Sequence, residues 1–264
     1  MNYSKEDLAK DACLEVGIEY TPVPADGKFH LTKLLEGRKK GNGRIKLFPD
    51  GQGGIAFNWV TGQSKAFFVN QLTGVKVTQQ DRDKAKAEQQ RQQALRIAEQ
   101  NKAANKAQSL WVSGKPASEH HPYLIKKCIK PFFIRSGCWE KWVLSEGGQW
   151  KKLKIENVLL IPLFNQSGVI RNLQAIFPTI PAGLERNKDF LPKAELSGLF
   201  SWVGQPSDTV CIAEGVATAF TIYQETGFRV YIAFFKDNLK VVGEVIRQHL
   251  PKATIILCYA KGIS

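Results

Sequence analysis

The chain has 264 residues, and its 37 Lys and Arg against 24 Asp and Glu give a formal net charge of +13, with 43% hydrophobic and 10% aromatic residues. That is enough apolar chain for two domains with real cores, which excludes disorder throughout, and the charge calls for an acidic partner, nucleic acid before an anionic membrane surface. No apolar run approaches the ~20 residues of a membrane span and residues 1–7 do not read as a signal peptide, so a cytoplasmic protein without a membrane partner is expected.

Ser4 followed by Asp7 suits a helix N-cap with an acidic third residue, and Leu8, Ala12, Cys13 and Val16 mark a short amphipathic helix ending at Gly17. After Pro22 and Pro24 the period changes. Residues 28–32, 44–48, 54–60 and 65–69 alternate or run apolar between Asp-Gly, Gly-Asn-Gly and Thr-Gly turns, which predicts a small antiparallel sheet and an α+β domain over 1–75. Lys33, Arg38, Lys39, Lys40, Arg44 and Lys46, with Phe57, Trp59 and Phe67, allow two readings of that sheet. Either it has a basic, aromatic face for single-stranded nucleic acid, or the rings are core and the cations a solvated rim.

Residues 76–111 are rich in Gln, Ala, Lys, Arg and Glu and contain no Gly or Pro, which predicts a charged helical linker without a heptad stripe. A β-rich region, 112–205, follows. Residues 158–164 and 169–177 flank Asn165-Gln166-Ser167-Gly168 as a hairpin. Before it, Lys126, Lys127, Lys130, Lys141, Lys151, Lys152 and Lys154 alternate with Trp139, Trp142 and Trp150 in the densest basic and aromatic interval of the chain. These seven lysines are the candidate nucleic-acid contacts. His120 and His121 precede Pro122 and are read as structural. Cys13, Cys128, Cys138, Cys211 and Cys258 are scattered without a Cys-x-x-Cys, so no zinc ribbon is expected.

The last region, 206–264, carries the strongest pattern. Residues 210–212 form an apolar β run that Glu214-Gly215 ends, and residues 216–223 continue at helical spacing to Gly227. A second strand over 229–234, a helix opened by Asn238 and a third strand over 254–258 complete βαβαβ, whose right-handed crossovers make the three strands parallel. Their carboxyl ends share the edge where such sheets bind ligands, and Glu214 stands on it.

Cys211-Ile212-Ala213-Glu214-Gly215-Val216-Ala217-Thr218-Ala219, then Ala233-Phe234, Asn238-Leu239 and the strand ending at Cys258, resemble the Toprim domain of plasmid- and phage-type DNA primases. His121-Pro122-Tyr123-Leu124, Ile161-Pro162-Leu163, Leu173-Gln174 and Asp189-Phe190-Leu191-Pro192 extend the resemblance over about three-fifths of the chain, making 112–205 primase-like. The fold implied is a carboxyl-terminal partial Toprim-like α/β domain preceded by β-rich α+β regions and a helical linker.

The resemblance implies RNA primer synthesis on single-stranded DNA from ribonucleotides in plasmid or phage replication, a replicative helicase as a possible partner, and Glu214 as both a catalytic residue and a Mg²⁺ ligand. The chain departs from the family where an Asp-x-Asp should follow the third strand: Ala260 and Gly262 stand there, and the sequence stops at Ser264. Two functions therefore remain, an impaired primase-like enzyme truncated before that motif, or a non-catalytic single-strand-binding protein or remnant.

Overall fold

The computed structural model describes residues 4–36, 40–69, 79–144 and 148–259. The chain divides into two compact units, residues 1–89 and 90–264.

In the first unit Ser4 caps helix α1 (Lys5–Glu15): its hydroxyl accepts the Asp7 N–H, and the Asp7 carboxylate accepts the Ser4 N–H at 2.8 Å. Strands β1 (His30–Lys33), β2 (Lys40–Leu47), β3 (Gly53–Asn58) and β4 (Ser64–Phe68) follow as an antiparallel meander in chain order. Ala9, Ala12 and Cys13 of α1 pack on Ile45, Ala56 and Phe67, and burial pushes the Cys13 thiol up to about 12, so it acts as a small hydrophobe. Phe67 is thus core, while Phe57, which pairs with Ser64, lies on the other side of the sheet. Gly54 makes the core face possible, because a Cβ there would stand 2.3 Å from the Lys46 carbonyl oxygen and 2.6 Å from the Phe67 ring.

Helix α2 (Gln79–Ser113) runs through the boundary between the units. Its described residues before Gln100 are exposed, including Leu95 and Ile97. Its later turns are docked: Ala107 and Trp111 enter a core with Trp139, Leu160, Leu173 and Phe177, Gln108 donates to the Ile170 carbonyl, and Arg171 donates to Asn101. The region expected as an exposed, charged helical linker is thus helical and exposed over its first part, while its last turns pack into the core of the second unit. The packing depends on small residues at helical spacing, a weak signal in a charged segment.

The second unit continues with β5 (Lys115–Pro116), α3 (Pro122–Lys127), β6 (Arg135–Leu144), β7 (Trp150–Phe164), β8 (Ile170–Ile176) and β9 (Lys188–Phe190), five strands in an antiparallel sheet of chain order. Then come β10 (Ser201–Val203), β11 (Thr209–Ala213), α4 (Val216–Thr226), β12 (Arg229–Ile232), α5 (Asn238–His249) and β13 (Thr254–Cys258). Their sheet has the order β10-β12-β11-β13: β11 pairs in parallel with both β12 and β13, and β10 joins β12 antiparallel. The sheet is therefore mixed, with an antiparallel edge strand on three parallel ones.

One face of this mixed sheet, Val210, Ile212, Tyr231 and Ala233, packs under Leu239, Val242 and Ile246 of α5. The opposite face, Cys211, Ala213, Val230 and Ile232, joins Val216, Ala219 and Phe220 of α4, Tyr123 and Leu124 of α3 and Leu159, Ile161 and Leu163 of the five-stranded sheet. The near-continuous apolar text of β11 follows from that burial on both faces. No helix among the described residues is long and apolar enough to cross a membrane.

Candidate nucleotide and nucleic-acid site

With β11 central, β12 on one side and β13 on the other, the chain reverses its direction of winding between β11 and β13, and the crevice outside their carboxyl ends is where open sheets bind ligands. Glu214 is the residue immediately after β11, and it is exposed. Gly215 caps α4 without a side-chain hydrogen bond, and space for a Cβ there is open. The first turn of α4 contains no acidic residue, so its N–H groups and dipole offer a positive end beside Glu214.

The neighbouring helix end is built differently. Asn238 is buried, accepts the Gly198 N–H at 2.7 Å and donates at 2.8 Å to the carbonyls of Leu199 and Ala233, tying α5 to the loop before β10 and to the end of β12. Asp237 caps α5 without a side-chain bond and is exposed.

A cation reaches this edge from the five-stranded sheet. Lys188, in β9, is partly buried with its ammonium 6.0 Å from the Tyr123 ring centroid. Burial pushes it below the ordinary lysine range; the charge of Lys127 adds to that shift and the carboxylate of Glu214 opposes it. The Lys188 ammonium thus feels one carboxylate and one further ammonium where the two sheets meet. Tyr123 has its hydroxyl buried without a hydrogen-bond partner among the described residues, and burial pushes that phenol up. Phe190, two residues after Lys188, meets Phe234 edge-on with ring centroids 6.1 Å apart, which seats β9 against the end of β12.

His121 has a structural place. It is buried, its Nδ1 accepts the Tyr123 N–H as the N-cap of α3, and its Nε2 donates to the Asn157 carbonyl at 2.8 Å. It positions Tyr123 and, at the far end of the same short helix, Lys127.

The seven lysines singled out from the sequence do not form one patch. Lys126 and Lys127 are exposed in the last turn of α3, and Lys130 is exposed beyond it, its N–H bonded to the Gln224 side chain of α4. Lys141 pairs with Asp189 at 2.7 Å in a half-buried site where Trp139 Nε1 also donates to Asp189. Its partner lies 48 residues away, beyond what spacing reveals. Lys151, Lys152 and Lys154 stand on the long β6–β7 ribbon. Alternation puts Lys152 and Lys154 on one face with exposed Trp142 and Trp150, and Lys151 on the other. Lys152 pairs with Glu140 at 2.8 Å and Lys154 with Glu156 at 3.3 Å, exposed contacts of little strength. Lys188 is the cation that the sequence did not single out: the recognisable motif begins at Asp189, one residue later. A lysine opening a short strand that ends in an apolar run was the signal present.

A magnesium site would need more anionic oxygen. Mg²⁺ is held by one or two protein carboxylates with water and phosphate completing an octahedron, and two-metal chemistry requires a larger set. Among the described residues no group of three His, Cys, Asp or Glu can hold a metal ion. Ala260 and Gly262 lie outside the described residues and carry no side-chain oxygen. With no such group among the described residues and the charge of Glu214 felt by the Lys188 ammonium, these residues do not fit a protein-held pair of Mg²⁺ ions. They fit a polyanion.

No family model matches the chain. Two crystal structures are similar to it. One is the RNA polymerase domain of Mycobacterium tuberculosis primase DnaG in complex with double-stranded DNA, at TM-score 0.39 and 12% identity over 64% of this chain, which spans 65% of that one. The other is the zinc-binding and RNA polymerase domains of the Aquifex aeolicus primase, at TM-score 0.37 and 11% identity, covering 97% of this chain and 72% of that one.

Proposed function

We propose that this chain is a primase-like protein of plasmid or phage DNA replication, with a Toprim-like carboxyl-terminal unit that binds ribonucleotide phosphates and single-stranded DNA, and that it makes little or no primer by itself. The observation that carries this reading is Glu214 at the carboxyl end of the central strand, with Lys188 within reach of its charge and of that of Lys127, and no carboxylate cluster able to hold a metal among the described residues. Two ammonium groups and the first turn of α4 supply donors for phosphate oxygens. In this reading Mg²⁺ accompanies the phosphates of the nucleotide, and Glu214 offers it one donor residue. A replicative helicase is the partner that such a protein would serve.

Phosphoryl transfer is mostly electrostatic stabilisation of charge on the moving group, and each ~1.4 kcal/mol of lost stabilisation costs about tenfold in rate. Losing the several kcal/mol of a held metal ion therefore removes synthesis by many orders of magnitude. The non-catalytic reading is favoured by that shortfall of carboxylates.

The test is ribonucleotide incorporation on single-stranded DNA with Mg²⁺ or Mn²⁺, beside equilibrium binding of a ribonucleoside triphosphate. Wild type should bind nucleotide without extending it, and Lys188→Met should weaken nucleotide binding about tenfold, as expected for one charge-assisted contact. Synthesis that is robust and lost in Glu214→Gln would overturn the inactive reading. Nucleotide binding indifferent to Lys188→Met would remove this edge as the site.

A further inference from the structure

The sheet of the first unit has one face under α1 and one face open, and the open face has a composition of its own. Register places Leu31 of β1, Arg44 and Lys46 of β2, Phe57 of β3 and Phe68 of β4 on it. No Asp or Glu stands on that face of the four strands among the described residues. The rings and cations are interleaved. Phe57 meets Phe29 at 6.5 Å and Trp59 at 5.4 Å between centroids, and Phe48 stacks on Phe68 at 5.9 Å. Arg44 lies over Trp59 at 5.9 Å, and Lys46 lies 5.6 Å from the Phe29 ring and 5.9 Å from the Phe48 ring.

These groups are held in place before any ligand arrives. The Arg44 guanidinium donates to the carbonyls of Gly41 and Gly43. Asn58 is buried, donates to the Val16 carbonyl at the end of α1, and accepts the N–H groups of Val60 and Thr61, which fixes the turn that carries Trp59. Trp59 itself donates its N–H to the Asn42 carbonyl at 2.8 Å. Trp59 is nevertheless 62% exposed, and Phe29 is 49% exposed. A large aromatic fixed at its backbone and open at its face is not core packing.

We propose that this open face is a stacking surface for the unpaired bases of single-stranded nucleic acid, separate from the edge at Glu214. Bases of any sequence lie on aromatic rings while neighbouring cations meet the phosphates. The charge pattern selects this occupant over an apolar protein surface, which would strip water from Arg44 and Lys46 without offering them a partner. A duplex hides its base faces and would gain only the cations.

The test uses the full chain and an oligothymidylate, with binding followed by anisotropy at low and high salt and contacts mapped by cross-linking from 5-iododeoxyuridine. Trp59→Ala should weaken single-strand binding about tenfold and Trp59→Ala with Phe57→Ala about a hundredfold, with Trp59→Phe restoring most of the loss, since one stacked ring is removed or kept each time. Duplex binding should be unmoved, cross-links should map to β3 and the turn after it, and the thermal midpoint of Trp59→Ala should match wild type. Wild-type single-strand affinity in Trp59→Ala, equal losses for duplex and single strand, or loss of self-association with single-strand binding intact would each overturn the proposal. Glu214→Gln should leave these cross-links unchanged, so failure at the Glu214 edge reads out separately.

Discussion

The N-terminal sheet covers one face with α1 and leaves the other to solvent, whereas the mixed sheet of the second unit is covered on both, by α5 and by α4 with the five-stranded sheet. The difference follows from connection. Antiparallel meanders need only short turns, so nothing forces a helix onto the second face, while parallel strands need crossovers that carry helices onto the sheet. Chemistry is displaced accordingly. In the first unit side chains on a sheet face are available for contact, and in the mixed sheet contact is left to the strand ends, where Glu214 stands.

Removing a ring from the covered face should have the largest effect. Phe220, 1% exposed between the two sheets of the second unit, is expected to cost about 3–5 kcal/mol on Phe220→Ala, read as a lower urea midpoint. A loss under about 1 kcal/mol would mean that the double cover is looser than its burial implies.

Next in size is His121, with an expected loss of about 1–2 kcal/mol on His121→Ala as the cap and the bond to Asn157 disappear. Its pH dependence has a definite sign. Burial lowers its pKa from the ordinary 6.5, and the hydrogen bond to Asn157 acts the other way. Below 6.5 the unfolded chain takes up a proton that the folded chain refuses, so the contribution to stability, complete above that value, declines as pH falls toward the folded pKa. His121→Asn keeps a capping oxygen and should flatten that part of the stability curve. An unchanged slope in urea titrations across the same pH range would place the proton elsewhere.

Reversing Lys151, Lys152 and Lys154 to Glu should weaken single-stranded DNA binding for all sequences alike, by about tenfold or less, with the salt slope reduced by roughly 0.7 for each phosphate that is no longer neutralised. The smallness is expected because Lys152 and Lys154 already face Glu140 and Glu156, and Lys151 lies on the other face of the ribbon. Unchanged affinity would remove the ribbon from the binding surface. Smallest of all, Trp59→Ala on the open face should change folding stability by less than about 0.5 kcal/mol. A larger drop in thermal midpoint would show that the face is not open in solution.

The parts legible in the sequence are those set by local period. The capping box at Ser4 and Asp7, the hairpin turn at Asn165–Gly168 and the alternation of strand and helix after Thr209 depend on neighbours within a few residues. Position on the edge was readable for Glu214 because a strand end is a local event. Three kinds of feature were not readable. The β6–β7 ribbon hid in a basic interval, since lysines alternating with tryptophans resemble a charged loop as much as a two-stranded arm. The parity of Phe57 and Phe67 decides which ring faces α1, and it is fixed by pairing across β3 and β4, not by either strand alone. Lys141 with Asp189, and Lys188 with Glu214, join residues that only the folded sheets bring together.

Phe234 follows the end of β12 with φ at 69°, a left-handed backbone that costs a residue bearing a side chain roughly 1–2 kcal/mol. Its buried ring is held edge-on by Phe190, and the Ala233 carbonyl beside it is bound by Asn238. Phe190 shares β9 with Lys188, so one short strand carries both the ring that packs on this strained turn and the ammonium that feels Glu214. Amide exchange at β9 should then slow and quicken together with exchange at that turn when nucleotide is added and removed.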